Sequence, residues 1–220
     1  MSGDLKVTGR TSRTANGSDS RTKVANRALI LAAAPIVLRR TGLMAFGLPE
    51  VAREAGLARQ TIYNHFEGRD DLLAALLIKE MIDRHAPMQH ELGQREPTVD
   101  NFICILLAEL EAGRGYALFD DMLSPSSGPR VAELVFSCRP VMDAREAAWL
   151  PILERYEGAG LLREGLDSHE LVRWLTWQVF WVMTNPGTLC GDSPSELAGY
   201  FRTYLIPGIL RMEARALAAG

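Results

Sequence analysis

Gly56-Leu57-Ala58-Arg59-Gln60-Thr61-Ile62-Tyr63-Asn64-His65-Phe66 is the stretch that decides how this chain folds. Just upstream, Val51, Ala52 and Ala55 form a short apolar face, and Gly56 stands where a helix ends on a residue tolerant of positive φ. Ile62 and Phe66 recur four apart, which puts both on one side of a second short helix. Gln60 with Asn64, Thr61 with His65, and Arg59 with Tyr63 pair at the same spacing over the rest of its surface. Arg, Gln, Thr, Tyr, Asn and His carry the donors and acceptors that base edges and phosphates require. Helix, tight turn and second helix, with apolar anchors inward and a polar flank outward, point to duplex DNA as a partner.

Outward from this motif, a first helix is expected from about Arg21 to Arg40. Val24, Ala28, Leu31, Ile36 and Leu38 are available for burial, Pro35 should kink it, and Gly42 should stop it. The second helix runs from Leu48 to Ala55, with Gly47 at its cap and Pro49 tolerated in its first turn. The third spans Arg59 to about Phe66. A fourth runs from Arg69 to about His85 and is stopped by Pro87, with Asp70 and Asp71 at its positive end.

Everything after it also reads as helical, because no run of alternation appears. Thr98 to Gly113 shows an apolar face through Phe102, Ile105, Leu106 and Leu110, and a shorter segment surrounds Ala117 to Leu123. Arg130 to Tyr156 is one long segment bent at Pro140 or Pro151. Asp167 with Glu170 starts the next helix, which ends near Asn185-Pro186-Gly187. Ser193-Pro194-Ser195-Glu196 is a strong start signal, with a hydroxyl cap, Pro at the first helical position and Glu at the third. The helix after it carries Leu197, Tyr200, Phe201, Tyr204, Leu205, Ile209 and Met212 on one stripe. The expected fold is all-α. A basic arm at 1–20, rich in Ser, Thr and Gly and carrying Lys6, Arg10 and Arg13, should be disordered. A helix-turn-helix head at 21–68 and a larger helical body at 69–220 follow it.

Charge divides the same way. Residues 1–70 hold 11 Lys/Arg against 6 Asp/Glu, and residues 71–220 hold 13 against 21, so a +5 amino-terminal third precedes a −8 remainder. That asymmetry directs a polyanion to the head alone. Cys104, Cys138 and Cys190 fit no zinc or redox spacing and suit a reducing compartment. The first twenty residues lack an apolar core, so secretion is not expected and the location is read as cytoplasmic. The uncharged run Trp174 to Gly191 contains polar residues and a proline, and is read as a buried helix plus a turn. No Gly-x-Ser-x-Gly elbow, His-Glu-x-x-His pair or phosphate loop is found, and His85 and His90 are poorly spaced for one metal. Neither an enzyme, nor a cofactor, nor a bound metal is expected.

The chain resembles the TetR family of bacterial transcriptional regulators over roughly Val24 to Leu77. Its most specific parts are Glu50-Val51-Ala52-Arg53-Glu54-Ala55-Gly56-Leu57, then Thr61-Ile62-Tyr63-Asn64-His65-Phe66 and Leu72-Leu73. The resemblance implies a homodimer with two DNA-reading heads and a carboxy-terminal domain that binds a small molecule and dimerises through its last two helices. It further implies repression relieved by ligand. Tyr63, His65 and Arg69 match family positions that hold the phosphate backbone. The chain departs from the family pattern at Phe46 and Gly47, where Thr and Ser are common, at Ala58, where a Ser or Thr cap is usual, and at Pro35.

Beside those matches, Arg59, Gln60 and Asn64 are candidates for base edges: Arg suits guanine, and the amides suit adenine. Thr61 suits a phosphate or a thymine methyl, and Arg21, Lys23 and Arg27 suit flanking phosphates. In the body, Phe119, Met122, Phe136, Trp149, Trp177 and Trp181 are candidates for an apolar effector pocket, and the expected effector is a small hydrophobic molecule. Trp174, Leu197, Tyr200, Phe201, Tyr204 and Leu205 are candidates for dimerisation. The alternative is a ligand-independent or architectural DNA-binding protein with a packed carboxy-terminal core.

Overall fold

The computed structural model describes residues 13–188 and 190–211, which leaves Lys6, Arg10 and Met212 outside. Most of the described residues are helical, and no strand is found among them. The head consists of α1 (Arg13–Ala45), α2 (Leu48–Glu54) and α3 (Arg59–Tyr63). Helix α4 (Arg69–Gln94) leads from it into the body. There follow α5 (Val99–Arg114), α6 (Phe119–Leu123), α7 (Gly128–Ser137), α8 (Arg139–Gly158) and α9 (Ser168–Thr184). Last come α10 (Pro194–Tyr200), a π-helical turn (Phe201–Leu205) and α11 (Ile206–Ile209).

Helix α1 begins at Arg13, inside the stretch expected to be disordered. Once a helix is nucleated, each added residue contributes a hydrogen bond, and no proline intervenes before Pro35. The helix runs through Pro35 and loses its regular form at Gly42, whose φ of 71° and ψ of 165° belong to a region that glycine alone adopts readily. Of its expected apolar face only Leu31 and Leu38 are buried. Val24, Ala28 and Ile36 lie in solvent, and Ile30, Ala33, Ala34 and Val37 fill the core instead. The inward side is therefore rotated from the expected one, and the first turns project past the body of the head. Ser20–Ala45 is, among the described residues, long and apolar enough to cross a membrane. Its inner side is the core of the head.

Pro87 does not stop α4. The helix continues to Gln94 because it lies against α5 and α8, and Leu92, beyond the proline, is buried. Tertiary packing there outweighs the single ladder bond that proline removes. The stretch expected as one bent helix from Arg130 divides at Cys138, where φ is −79° and ψ 108°. Pro140 then falls in the first turn of α8, while Pro151 stays inside it.

The start signals at Asp167 and Ser193 hold, and Thr98 caps α5 in the same way. Thr98 accepts the Asn101 N–H at 3.1 Å, Asp167 accepts the Glu170 N–H at 2.8 Å, and Ser193 with Glu196 closes a reciprocal capping box. At the centre of the body Phe102 packs edge-on to Tyr156 at 5.1 Å and against Trp149 at 5.9 Å. Ile209 and Arg211 are tied to the loop after α8 by two backbone bonds, Arg163 N–H to Ile209 at 2.9 Å and Arg211 N–H to Leu161 at 2.8 Å.

Candidate nucleic-acid interface

Gly56 lets the second head helix end sharply. Its φ of 68° allows Leu57 N–H to reach back to the Ala52 carbonyl at 2.9 Å while its own N–H bonds Arg53 at 3.2 Å. This six-to-one closure satisfies carbonyls that would otherwise be left open, and it turns the chain into α3. Ile62 is fully buried and Phe66 is 2% exposed, both in one core with Val51, Ala52 and the inner side of α1. Burial of two such side chains stabilises the docking of α3 by about 1.5–3 kcal/mol each. Helix α3 itself is short. Asn64 caps it, and Phe66 N–H still bonds Ile62 at 3.0 Å, so the turn continues far enough to bring Phe66 inward.

With both anchors inward, the other side of α3 faces water. Arg59, Gln60, Tyr63 and Asn64 are exposed, and Thr61 and His65 are half-buried at its margins. Gln60 Nε2 donates to Asn64 Oδ1 at 3.1 Å, leaving the Gln60 carbonyl oxygen to accept and the Asn64 amide nitrogen to donate. Arg27 comes from α1 and lies over the Phe66 ring with its guanidinium carbon 5.4 Å from the centroid. Arg21 and Lys23 are exposed further up the same helix. Arg69 is placed differently from the rest. It is half-buried, and its guanidinium donates to the carbonyl of Leu43, just past the Gly42 break in α1. That bond draws it toward the protein's own backbone.

Residues 30–76, which comprise this motif, match the family of bacterial regulatory proteins named for tetR. The helix-turn-helix head is thus similar to the TetR family. Solved structures carry the likeness through the body. A TetR-family transcriptional regulator from Pectobacterium atrosepticum is 18% identical with a TM-score of 0.63, over 88% of this chain and 98% of its own. The TetR family repressor AlkX from Dietzia sp., implicated in biodegradation of n-alkanes, is 16% identical with a TM-score of 0.60, over 82% and 93%. FadR from Bacillus subtilis, in complex with stearoyl-CoA, is 17% identical with a TM-score of 0.53, over 83% and 98%. No curated protein matches the chain.

Two family departures have a visible physical outcome in this TetR-like head. Phe46 is 3% exposed and helps fill the core, so it offers nothing to a phosphate. Ala58, at φ −63° and ψ 146°, has the backbone of a cap without a side chain to accept the free N–H groups of α3.

In the body, the six residues expected to line an effector pocket are not gathered into one. Trp149 is buried in the core and borders a cavity of about 260 Å³ between α4 and α8, with Met81, Ile82, Ala144 and Ala148. Met122 is buried on α6, where Phe119 is half-buried. Phe136 stacks on Trp177 at 4.2 Å and 7° between planes. Trp177 and Trp181 are 50% and 46% exposed, on the outer side of α9. Trp174, at 41%, joins them at helical spacing to make one aromatic stripe. Among the residues expected at a dimer contact, Leu197, Phe201 and Leu205 are buried against this chain's own core. Tyr200 is half-buried, and Tyr204 is 73% exposed. The outward side of the last helix therefore belongs to the tyrosines, because the leucines and the phenylalanine are used within the subunit.

The structure also reveals a polar cluster that the sequence reading passed over. His85 Nδ1 lies 2.6 Å from Glu109 Oε1, Arg145 donates to Glu109 Oε2 at 2.7 Å, and Tyr116 Oη bonds His85 Nε2. Burial pushes the Tyr116 phenol far above its ordinary value, so it stays protonated. One signal was available: Glu109 shares the apolar face of α5 with Phe102, Ile105, Leu106 and Leu110. A carboxylate in that register must find partners inside.

Proposed function

We propose that this chain is a TetR-family transcriptional regulator and works in the cytoplasm as a homodimeric DNA-binding repressor, released from its operator by a small hydrophobic effector. The observation that carries the reading is the α3 flank, where Arg59, Gln60, Tyr63 and Asn64 face outward over buried Ile62 and Phe66. Tyr63 and His65 hold the phosphate backbone, while Arg59, Gln60 and Asn64 read base edges and Thr61 supports them. Arg69 serves that backbone indirectly, by fixing the end of α1 through Leu43. The head's positive charge supports the assignment.

Selection from random duplexes supplies an operator, and binding is then measured across its variants. Asn64→Ala should cost about 1–3 kcal/mol on the selected sequence and alter base preference, whereas Tyr63→Phe should weaken all sequences alike. A uniform loss for Asn64→Ala would remove it from base reading.

Dimerisation is assigned to Trp174, Trp177 and Trp181 on α9 with Tyr204 on the last helix, an exposed aromatic surface of the kind that marks an interface. Sedimentation should show a dimer at micromolar concentration, and Trp181→Asp should yield a folded monomer. A wild-type monomer at that concentration rejects the assignment. The effector is assigned to the cavity beside Trp149, whose walls join Met81, Ile82, Ala144, Ala147 and Ala148 to the polar His85, Glu109 and Arg145. A relative of the same fold is in complex with stearoyl-CoA, which supports an apolar ligand. Release of DNA by charged, small polar metabolites alone would overturn that choice.

A further inference from the structure

A separate cavity of about 290 Å³ lies where the head meets the body. Its floor is apolar, with Leu43 from the end of α1, Leu73 from α4, Leu118 before α6 and Leu134 from α7. Its rim is charged and unbalanced. Asp70, Asp71 and Glu133 contribute three carboxylates against the single guanidinium of Arg130. Arg130 is already engaged by two of them, donating to Glu133 at 2.6 Å and to Asp70. The mouth therefore keeps an excess of negative charge over a greasy interior.

We propose that this cavity binds a small apolar molecule carrying one positive charge. The volume is about twice that of the cavity of about 150 Å³ that takes up benzene in an engineered protein, so one or two rings fit. An ammonium at the rim meets Glu133, Asp70 and Asp71, and the ring lies on the leucines. A carboxylate ligand would meet repulsion there, and a neutral one would forgo the attraction.

The site is placed to influence the head. Leu43 is held by its backbone from both sides: its N–H donates to Asp121 Oδ1 of α6 at 3.0 Å, and its carbonyl accepts from Arg69 of α4. Ser127 braces the same Asp121 oxygen at 3.0 Å. An occupant resting on Leu43 and pairing with Asp70 touches the joint through which head and body are registered. This consequence rests on the reading of the head as the DNA-binding part; the ligand site itself does not.

Cys138 borders the cavity and reports on it. In the full chain carrying Cys104→Ser and Cys190→Ser, the rate of Cys138 modification by a thiol reagent is measured with millimolar phenethylammonium, phenethyl alcohol or hydrocinnamate. Phenethylammonium should slow labelling at least about fivefold more than either analogue, the scale of one partly exposed ion pair. Glu133→Gln, at an exposed rim position, should remove most of that advantage while the circular dichroism stays unchanged. Equal protection by all three probes, or none by the cation, overturns the proposal. Protection that leaves DNA affinity unchanged supports the ligand site and overturns its link to the head. Absence of DNA binding with protection intact would sink the repressor reading alone.

Discussion

Head and body of this molecule distribute polarity in opposite ways. In the head, Ile62 and Phe66 are buried and Arg59, Gln60 and Asn64 face water, so each short helix has one apolar and one polar side. In the body, His85, Glu109 and Tyr116 are buried while Trp174, Trp177 and Trp181 stand half in solvent. A surface of the first kind is complete in water and attracts a polyanion. One of the second kind is incomplete alone, because its aromatic stripe lacks a cover and its interior charges are held by a few exact partners. Under the proposed function the difference would separate two tasks, with recognition in the head and assembly and response in the body.

The largest expected effect lies at the buried charges. Glu109→Ala would leave the Arg145 guanidinium and His85 without their shared carboxylate, at a cost of about 3–5 kcal/mol in denaturant unfolding. The paired variant Glu109→Leu/Arg145→Met removes both charges and should recover most of the loss. If Glu109→Ala alone is neutral, the cluster is open to water and the contrast between head and body disappears.

How far each region was legible follows from the same contrast. In the head the deciding relations are local. Gly56 ends α2, Ile62 and Phe66 are four apart, and Gly42 breaks α1, all within a few residues of what they control. Caps in the body, at Asp167 and Ser193, were legible for the same reason. What escaped is non-local. Glu109 is completed by His85, Tyr116 and Arg145 from other parts of the chain, and no spacing announces that meeting. Pro87 reads as a stop until α5 and α8 are seen to hold the helix on its far side. The dimer candidates divided likewise. Leu197, Phe201 and Leu205 share a stripe with Tyr204, yet the π-helical turn and the subunit's own core take them inward. The stripe alone could not say which body it would cover.

A smaller effect tests the head. Ala58 holds a cap backbone with no side-chain acceptor, so Ala58→Ser should supply one to the free N–H groups of α3 and add about 1 kcal/mol of stability. The gain should show in thermal unfolding, with amide exchange slowed across α3. Stability unchanged with exchange unchanged would mean that α3 is held by Ile62 and Phe66 alone, which would sharpen the view that tertiary burial rather than capping fixes the reading surface.

The smallest expected effect concerns the buried side of the body. Glu80 is 8% exposed and its carboxylate accepts the Ala117 N–H at 3.0 Å. Burial raises its pKa above the ordinary 4.5, and the Ala117 bond and Arg84 offset only part of that. The folded protein therefore holds this proton more tightly than the unfolded chain does. Stability from Glu80 is fully present below 4.5 and is lost as pH rises through the raised folded value. Glu80→Gln retains an oxygen for Ala117 and abolishes the titration. Its unfolding free energy should fall less than that of the wild type over the same pH rise, and at neutral pH it should be the more stable of the two. A parallel pH profile for the two proteins would show that water reaches Glu80, and would place this carboxylate with the solvated polar groups of the head instead of with Glu109.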